Sequence, residues 1–135
     1  MAGPLTAFIE DAYRDTLGLM TELRDYLAGL EDRKGDDSLD PQTRTRVLAE
    51  ISSMTRYMTE AMAWLLLQKA AAAGEITPAE AKIRAEGLLE VEEAPGPSAA
   101  DAMALPLEVR GYMDRSRRLY DQINNLRESA DRAVG

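Results

Sequence analysis

Mostly apolar residues recur at alternating spacings of three and four in three long stretches of this chain. Positions three and four apart share one face of an α-helix, so each stretch predicts a helix with a single apolar stripe. The stripes comprise Leu5, Ile9, Ala12, Thr16, Leu19, Leu23, Tyr26 and Leu30, then Val47, Ile51, Met54, Met58, Ala61 and Leu65, and finally Val109, Tyr112, Ser116, Leu119, Ile123, Leu126, Ala130 and Ala133. Because such stripes pack against one another at shallow crossing angles, the sequence predicts an all-α fold, an antiparallel three-helix bundle.

Proline and capping residues mark where these helices begin. Asp40 and Thr77 are favourable N-cap residues, and each precedes a proline, which suits the first helical position. Thr77 with Glu80 also has the pattern of a capping box, which predicts one additional short helix. The segment 94–98 (APGPS) predicts a loop, because proline interrupts a helix interior. We expect a single domain over residues 1–135, with helices at about 5–31, 41–73, 78–90 and 106–133.

The chain of 135 residues contains no cysteine and no histidine. Their absence excludes disulfides, Cys–His and Ser–His–Asp catalysis, zinc sites of the Cys/His type, and di-iron bundles built on Glu-x-x-His. The formal net charge of −8 disfavours binding to nucleic acid or to an anionic membrane, since both require a cationic surface. These exclusions favour a protein that is held together by its core alone.

Acidic side chains are abundant, but their placement does not predict an active site. The pairs Glu31-Asp32, Asp36-Asp37 and Glu92-Glu93 lie near predicted loops, where solvated carboxylates are common. Catalytic carboxylates need a cleft that shifts their pKa values, and the stretch 32–40 lacks the spacing of an EF-hand calcium loop. We therefore predict no catalytic residue, no metal and no cofactor, and a protein that is not an enzyme.

The longest apolar run, 61–67 (AMAWLLL), is far shorter than the roughly 18 residues that a membrane-spanning helix needs. The N-terminal residues also lack the pattern of a targeting signal. We therefore expect a cytoplasmic protein without a membrane span.

The same apolar run predicts a second subunit. Trp64, Leu65, Leu66 and Leu67 point in four directions around the helix, and a helix that is apolar on all sides has to be covered on all sides. The bundle core covers one side, and a second copy of the chain is the simplest cover for the other. We predict a seam for core packing and dimerisation, centred on Trp64 and Leu67, that comprises Met58, Ala61, Trp64, Leu65 and Leu67.

Charge is distributed unevenly along the chain. Residues 1–40 and 74–101 carry −6 and −5, whereas residues 41–73 and 102–135 carry +2 and +1. Arginines on the second and last long helices either pair with acidic helices of the same bundle or form a docking patch for an acidic partner. The docking candidates are Arg115, Arg117 and Arg118, with Arg44, Arg46 and Arg56 as further cationic residues.

Two segments resemble a known helical family. Residues 63–70 (AWLLLQKA), followed by Gly74 and Glu75, are similar to the hallmark segment of an alphaproteobacterial family, that of the regulator of CtrA degradation (RcdA), also called domain of unknown function 1465. The residues similar to the family's last helix are Leu105, Pro106, Ser116, Arg117, Arg118, Leu119, Tyr120, Ile123 and Leu126. The resemblance covers residues 45–130, and the first helix matches only in its apolar pattern.

The resemblance implies a three-helix bundle that pairs as a homodimer and has no enzymatic activity. It also implies an adaptor, because the founding family member helps to deliver a cell-cycle response regulator to the ClpXP protease, alongside a response-regulator adaptor and a cyclic-di-GMP-binding effector. Recruitment to a cell pole follows from the same resemblance. An adaptor of this kind raises the effective concentration of substrate at the protease by binding two partners at once.

Two other functions remain open on the sequence alone. A helical bundle can bind a small apolar ligand or a nucleotide in its core. It can also be a structural subunit of a larger complex, with no role in proteolysis. The position of the short helix after Thr77 is open as well, since it can pack on its own bundle or on the other subunit.

Overall fold

In the computed structural model, the described part of the chain forms four α-helices and no strand. The described residues are 4–32, 39–89 and 102–134. The helices are α1 (Pro4–Asp32), α2 (Pro41–Ala72), α3 (Pro78–Arg84) and α4 (Leu107–Val134). The prediction of an all-α bundle with three long helices and one short helix is confirmed. The predicted loop at 94–98 and the acidic pairs Asp36-Asp37 and Glu92-Glu93 lie outside the described residues.

Side-chain caps start α2 and α3 at the residues that the sequence predicts. The Asp40 carboxylate accepts hydrogen bonds from the Thr43 backbone N–H at 2.8 Å and from the Thr43 hydroxyl at 2.9 Å. The backbone bond is the main reason why the pKa of Asp40 lies below its ordinary value. The Thr77 hydroxyl accepts a hydrogen bond from the Glu80 backbone N–H at 3.1 Å. The two bonds from backbone N–H groups satisfy donors that have no partner within the first turn of their helix.

The short helix ends earlier than the sequence predicted. Its expected end was near residue 90, but α3 ends at Arg84 and is followed by turns. Gly87 has a φ of +90°, and Leu89 also has a positive φ, of 59°. A left-handed residue cannot continue a right-handed helix, which explains the early end. After this reversal Leu89 is buried in the core, with 4% of its surface exposed.

The helices α1 and α2 form an antiparallel pair. Near the start of α1, a Glu10 carboxylate oxygen lies 3.3 Å from the Lys69 ammonium nitrogen, which belongs to the last turns of α2. Near the end of α1, the Leu30 carbonyl accepts a 2.7 Å hydrogen bond from Arg44 in the first turn of α2. These two contacts fix the direction and the register of the pair.

The last helix, α4, runs antiparallel to α1 and therefore parallel to α2. Tyr26, near the end of α1, meets Tyr112, near the start of α4, edge to face with ring centroids 5.7 Å apart. Leu5 and Leu126, from the start of α1 and the later part of α4, line one groove. Of the connection between α2 and α4, the structure describes residues 73–89, which include α3, and residues 102–106.

The core consists of two clusters, which we call the tyrosine end and the tryptophan end. The tyrosine end contains Leu19, Leu23, Tyr26, Leu30, Val47, Ile51, Met54, Met58, Leu105, Val109, Tyr112 and Leu119. The tryptophan end contains Ile9, Ala12, Ala61, Trp64, Leu65, Leu89, Ile123, Leu126 and Ala130. Several alanines of the tryptophan end leave room between the helices for the large indole ring, which is 1% exposed.

Thr16 lies between the two clusters along α1. Its side chain is fully buried, and its hydroxyl has no hydrogen-bond partner among the residues that the structure describes. An unpaired hydroxyl in an apolar core costs about 1–3 kcal/mol of folding free energy. The boundary between the two clusters is therefore a polar interruption of an otherwise apolar stripe.

Candidate interaction surfaces

The structure places most residues of the predicted dimer seam inside a single chain. Met58, Ala61, Trp64 and Leu65 are between 0% and 1% exposed, so the bundle itself buries them. Leu67 is half-buried. A side chain that is already buried offers no surface to a second subunit. These four residues therefore pack within one chain, and of the predicted seam only Leu67 retains surface that a second subunit could cover.

The cover for Trp64 comes from the short helix and the turns that follow it. The helix α3 packs on α2 and α4 of its own bundle, which answers the question that the sequence left open. Trp64 shares its cluster with Leu89, while Ala85 and Leu88 pack against the edge of that cluster. Leu67 follows Trp64 by three residues and thus lies on the same side of α2. One chain supplies the cover that we had assigned to a second copy.

The side of α2 next to α1 carries a second stripe with helical spacing, which we call the outer stripe. Its members are uncharged and alternate in spacing between three and four: Thr45, Leu48, Ser52, Thr55, Thr59, Met62 and Leu66. Leu48 and Leu66 remain 36% and 49% exposed. A helix with one buried stripe and a second uncharged stripe is typical of a helix that packs on two partners.

The threonines of the outer stripe need no hydrogen-bond partner from outside the helix. The hydroxyls of Thr45, Thr55 and Thr59 each donate to the backbone carbonyl four residues earlier, at 3.0, 2.8 and 2.7 Å. A hydroxyl that is bonded within its own helix can be covered by an apolar surface without losing that bond. The outer stripe therefore behaves as a less polar surface than its composition indicates.

Two residues of α1 extend the outer stripe into what we call the α1–α2 face. Leu17 is 48% exposed, and the Thr21 hydroxyl donates a 2.9 Å hydrogen bond to the Leu17 carbonyl. Leu17 lies one turn after Tyr13, whose ring is 4.0 Å from the Lys69 ammonium of α2. The charged contacts between α1 and α2 at Lys69 and Arg44 lie at the two ends of this face. Its middle is uncharged.

The three candidate docking arginines do not form one patch. Arg115 pairs with Glu22 of α1 at 2.5 Å, and its hydrogen bond is the main cause of the lowered pKa of that carboxyl group. Arg117 and Arg118 are exposed, and neither forms an ion pair within the described part of the chain. Positions three apart share a helix face, so Arg118 leaves α4 on the same side as Arg115, whereas Arg117 points in a different direction.

A groove with a volume of about 700 Å³ runs between α1 and α4, and Arg118 stands at its edge. Its apolar lining comes from Leu5, Phe8 and Leu126, and Phe8 is 54% exposed. Its polar lining comes from α4, at Arg118, Asp121, Gln122, Asn125 and Ser129. Arg117 does not line this groove. The structure therefore distinguishes two neighbouring arginines that the sequence analysis treated as equivalent.

The sequence analysis missed both surfaces, although each leaves a signal. The outer stripe shows the same spacing of three and four as the core stripe, but only two of its members are leucines. The groove is indicated by the one phenylalanine of the chain, Phe8, on the first helix outside the apolar stripe. Neither signal says which helix lies opposite, so the sequence alone does not assemble either surface.

No three acidic side chains in the part of the chain that the structure describes lie close enough together to hold a metal ion. Two tyrosines among the described residues have raised pKa values. Burial, together with a 3.0 Å hydrogen bond that the Tyr112 hydroxyl donates to Glu108, raises the pKa of Tyr112 to about 12. Burial also raises the pKa of Tyr120. Both phenols are thus held more firmly in their neutral form.

No helix among the described residues is long and apolar enough to cross a membrane. Neither the comparison with curated proteins nor the comparison with solved structures gives a significant match. The family model described as "Protein of unknown function (DUF1465)" matches residues 5–134, which is nearly the whole chain and includes all four helices except the first residue of α1. On this match, the chain belongs to the DUF1465 family of proteins of unknown function.

Proposed function

We propose that this protein is a cytoplasmic, homodimeric adaptor without enzymatic activity, which promotes the degradation of a response regulator by the ClpXP protease. The resemblance of its α2 and α4 segments to the family of the regulator of CtrA degradation supports this role, and membership of DUF1465 agrees with that resemblance. An adaptor acts through its surfaces. The argument for it therefore depends on which surfaces the bundle leaves for partners.

The observation that carries the proposal is the outer stripe of α2. Its seven uncharged residues extend over about 30 Å of helix, since each residue adds about 1.5 Å. The outer stripe of a second copy can pack against this stripe in an antiparallel arrangement about a two-fold axis, which is the commonest symmetry of homodimers. The stripe has leucine or methionine near both ends and Ser52, Thr55 and Thr59 in the middle, where small side chains allow close approach.

Dimerisation on the α1–α2 face would leave the α1–α4 groove and the exposed arginines of α4 accessible. A dimer would then present two copies of each remaining surface on a rigid support. Binding of substrate and protease to one support turns their encounter into an intramolecular event and raises the effective concentration of the substrate. This arrangement requires no catalytic group.

The dimer is tested by sedimentation of the wild type and of Leu66→Glu. We expect a wild-type dimer and a folded Leu66→Glu monomer, because Leu66 is half-exposed and contributes little to the fold of one chain, whereas a buried glutamate in the interface is costly. The matched control is Ile83→Glu on α3, where the isoleucine is 64% exposed and lies outside the outer stripe. A monomeric wild type, or a Leu66→Glu protein that remains dimeric, would contradict the proposed interface.

The adaptor role is tested by the half-life of the CtrA-like response regulator in cells after protein synthesis is blocked. We expect a longer half-life in a deletion strain, restored by the wild-type gene and by Ile83→Glu. An unchanged half-life in the deletion strain would overturn the adaptor role. The dimer would then belong to a structural subunit or a ligand-binding protein, which are the alternatives left by the sequence.

A further inference from the structure

The α1–α4 groove combines an exposed aromatic ring with a row of hydrogen-bonding side chains. Phe8 lies on the surface of α1 with 54% of its side chain exposed. Covering an exposed phenylalanine removes apolar area from water at about 25 cal/mol per Å². Leu5 and Leu126 border the same space, so an apolar side chain of a partner would meet apolar surface on several sides.

The polar side of the groove has a regular spacing. Arg118, Gln122, Asn125 and Ser129 follow one another on α4 at intervals of four, three and four, and all four line the groove. This row extends over about 16 Å at about 1.5 Å per residue. An extended peptide covers that length with about five residues at about 3.3 Å each. Amide and hydroxyl side chains match the alternating N–H and C=O groups of such a backbone, because they both donate and accept hydrogen bonds.

The first residue of this row, Arg118, is positively charged. Arg118 forms no ion pair with a residue that the structure describes, whereas its neighbour Arg115 is already paired with Glu22. Arg118 is thus available for a carboxylate of a partner. Asp121 also lines the groove, one turn along the helix, and it would repel a second carboxylate. The charges therefore favour a segment with a single acidic group near Arg118.

We propose that the α1–α4 groove binds an extended peptide segment of a partner protein, with an apolar side chain against Phe8 and one carboxylate on Arg118. This proposal specifies the chemistry of the partner segment that an adaptor would bind, and in that respect it rests on the proposed function. The binding itself does not depend on dimerisation, since α1 and α4 of one chain form the whole groove.

The test uses a phage-displayed library of random hexapeptides, selected on the immobilised wild-type protein. We expect enriched peptides that contain one leucine or aromatic residue and one aspartate or glutamate. The most enriched peptide is then synthesised with a fluorescent label, and its affinity is measured by fluorescence anisotropy. Arg118→Ala should weaken binding roughly tenfold or more, as expected for the loss of a charge-assisted hydrogen bond. Phe8→Ala should weaken it by a similar factor.

Arg117→Ala is the matched control, because Arg117 is exposed on the adjacent position of α4 but does not line the groove. It should change the affinity less than twofold. Lack of enrichment, enriched peptides without this pattern, or an equal effect of the two arginine variants would overturn the proposal. If Phe8→Glu changed the sedimentation of the protein, a second copy of the chain would cover the groove, which would also overturn it. Sedimentation of Arg118→Ala, expected to equal the wild type, separates a failure here from a failure of the proposed dimer.

Discussion

The two sides of α2 show how one helix can carry apolar surface for two purposes. On one side, Trp64 is covered by α3 and the turns up to Leu89, within the same chain. On the other side, Leu48 and Leu66 remain exposed although their stripe has helical spacing and no charge. The first side stabilises the monomer, and the second is available for a partner. Apolar character alone does not distinguish these roles, because what decides them is whether another segment of the chain lies opposite.

Substitution of the tryptophan gives the largest expected effect and tests the covered side. Trp64→Ala should destabilise the protein by about 3–5 kcal/mol, because the large indole ring would leave a cavity between helices. Urea unfolding followed by circular dichroism at a fixed protein concentration measures this loss. The companion variant Leu66→Ala should change the stability of one chain by less than about 1 kcal/mol, since its side chain is half-exposed. Equal losses from the two variants would remove the distinction between the two sides.

A substitution at Gly87 should weaken the packing of the turn that covers Trp64. A side chain at this position is strained, because φ is +90°, and Gly87→Ala should cost about 1–2 kcal/mol. We expect the turn to hold Leu89 less firmly over the indole. The chain has one tryptophan, so its fluorescence reports on this site alone. Easier acrylamide quenching in Gly87→Ala is the expected result, with Gly111→Ala in the second turn of α4 as control. Unchanged quenching would show that this turn does not control the cover.

The hydroxyls of two threonines extend the comparison to single polar groups. Thr16 is buried without a partner for its hydroxyl among the described residues, whereas the Thr59 hydroxyl bonds to the Thr55 carbonyl. Thr16→Val should therefore stabilise the protein by about 1 kcal/mol. Thr59→Val should change the stability of one chain by less than that. Thermal unfolding of both variants measures the difference, and a destabilised Thr16→Val protein would contradict the reading of Thr16 as an unsatisfied group.

The smallest expected effect comes from the charged contact between α1 and α4, which contrasts with the uncharged α1–α2 face. Arg115 lowers the pKa of Glu22 below its ordinary value of 4.5, so the folded state binds the Glu22 proton less tightly than the unfolded state. The contribution to stability is therefore full above about pH 4.5 and disappears as the pH falls through the lowered pKa. Because both side chains are partly exposed, we expect only about 0.3–0.5 kcal/mol.

The measurement is the difference in unfolding free energy between the wild type and Glu22→Gln from pH 7 to pH 3. The wild type should be more stable at pH 7, and the difference should vanish at the acidic end. A difference that stays constant with pH would mean that the pair does not stabilise the folded state through its charge.

The sequence predicted the elements of the fold well and its tertiary arrangement less well. The spacing of the core stripes and the caps at Asp40 and Thr77 are local signals, and the structure has the predicted helices at those positions. The end of α3 was missed because Gly87 interrupts a helical pattern that continues to Leu89. The cover of Trp64 depends on where α3 and the turns up to Leu89 pack, and the spacing of residues within a helix contains no information about that.

The candidate surfaces show the same limit. Arg115, Arg117 and Arg118 are close in sequence, but Glu22 of another helix pairs with the first of them and Phe8 lies in the groove that the last one lines. The four-residue row from Arg118 to Ser129 is visible in the sequence, but only the antiparallel α1 turns it into one side of a groove. Pairing between helices, rather than the properties of each helix, creates both surfaces.

The most direct test of the two sides of α2 is a cysteine cross-link, since the chain contains no cysteine of its own. In an antiparallel dimer about a two-fold axis, Thr55 at the middle of the outer stripe faces its own copy. A disulfide requires Cα atoms within about 7 Å, so oxidised Thr55→Cys should form a covalent dimer on a non-reducing gel. Ile83→Cys, on the exposed surface of α3, should remain monomeric under the same conditions. Cross-linking of Ile83→Cys but not of Thr55→Cys would contradict the account, because it would place the interface on the exposed surface of α3 and not on the outer stripe of α2.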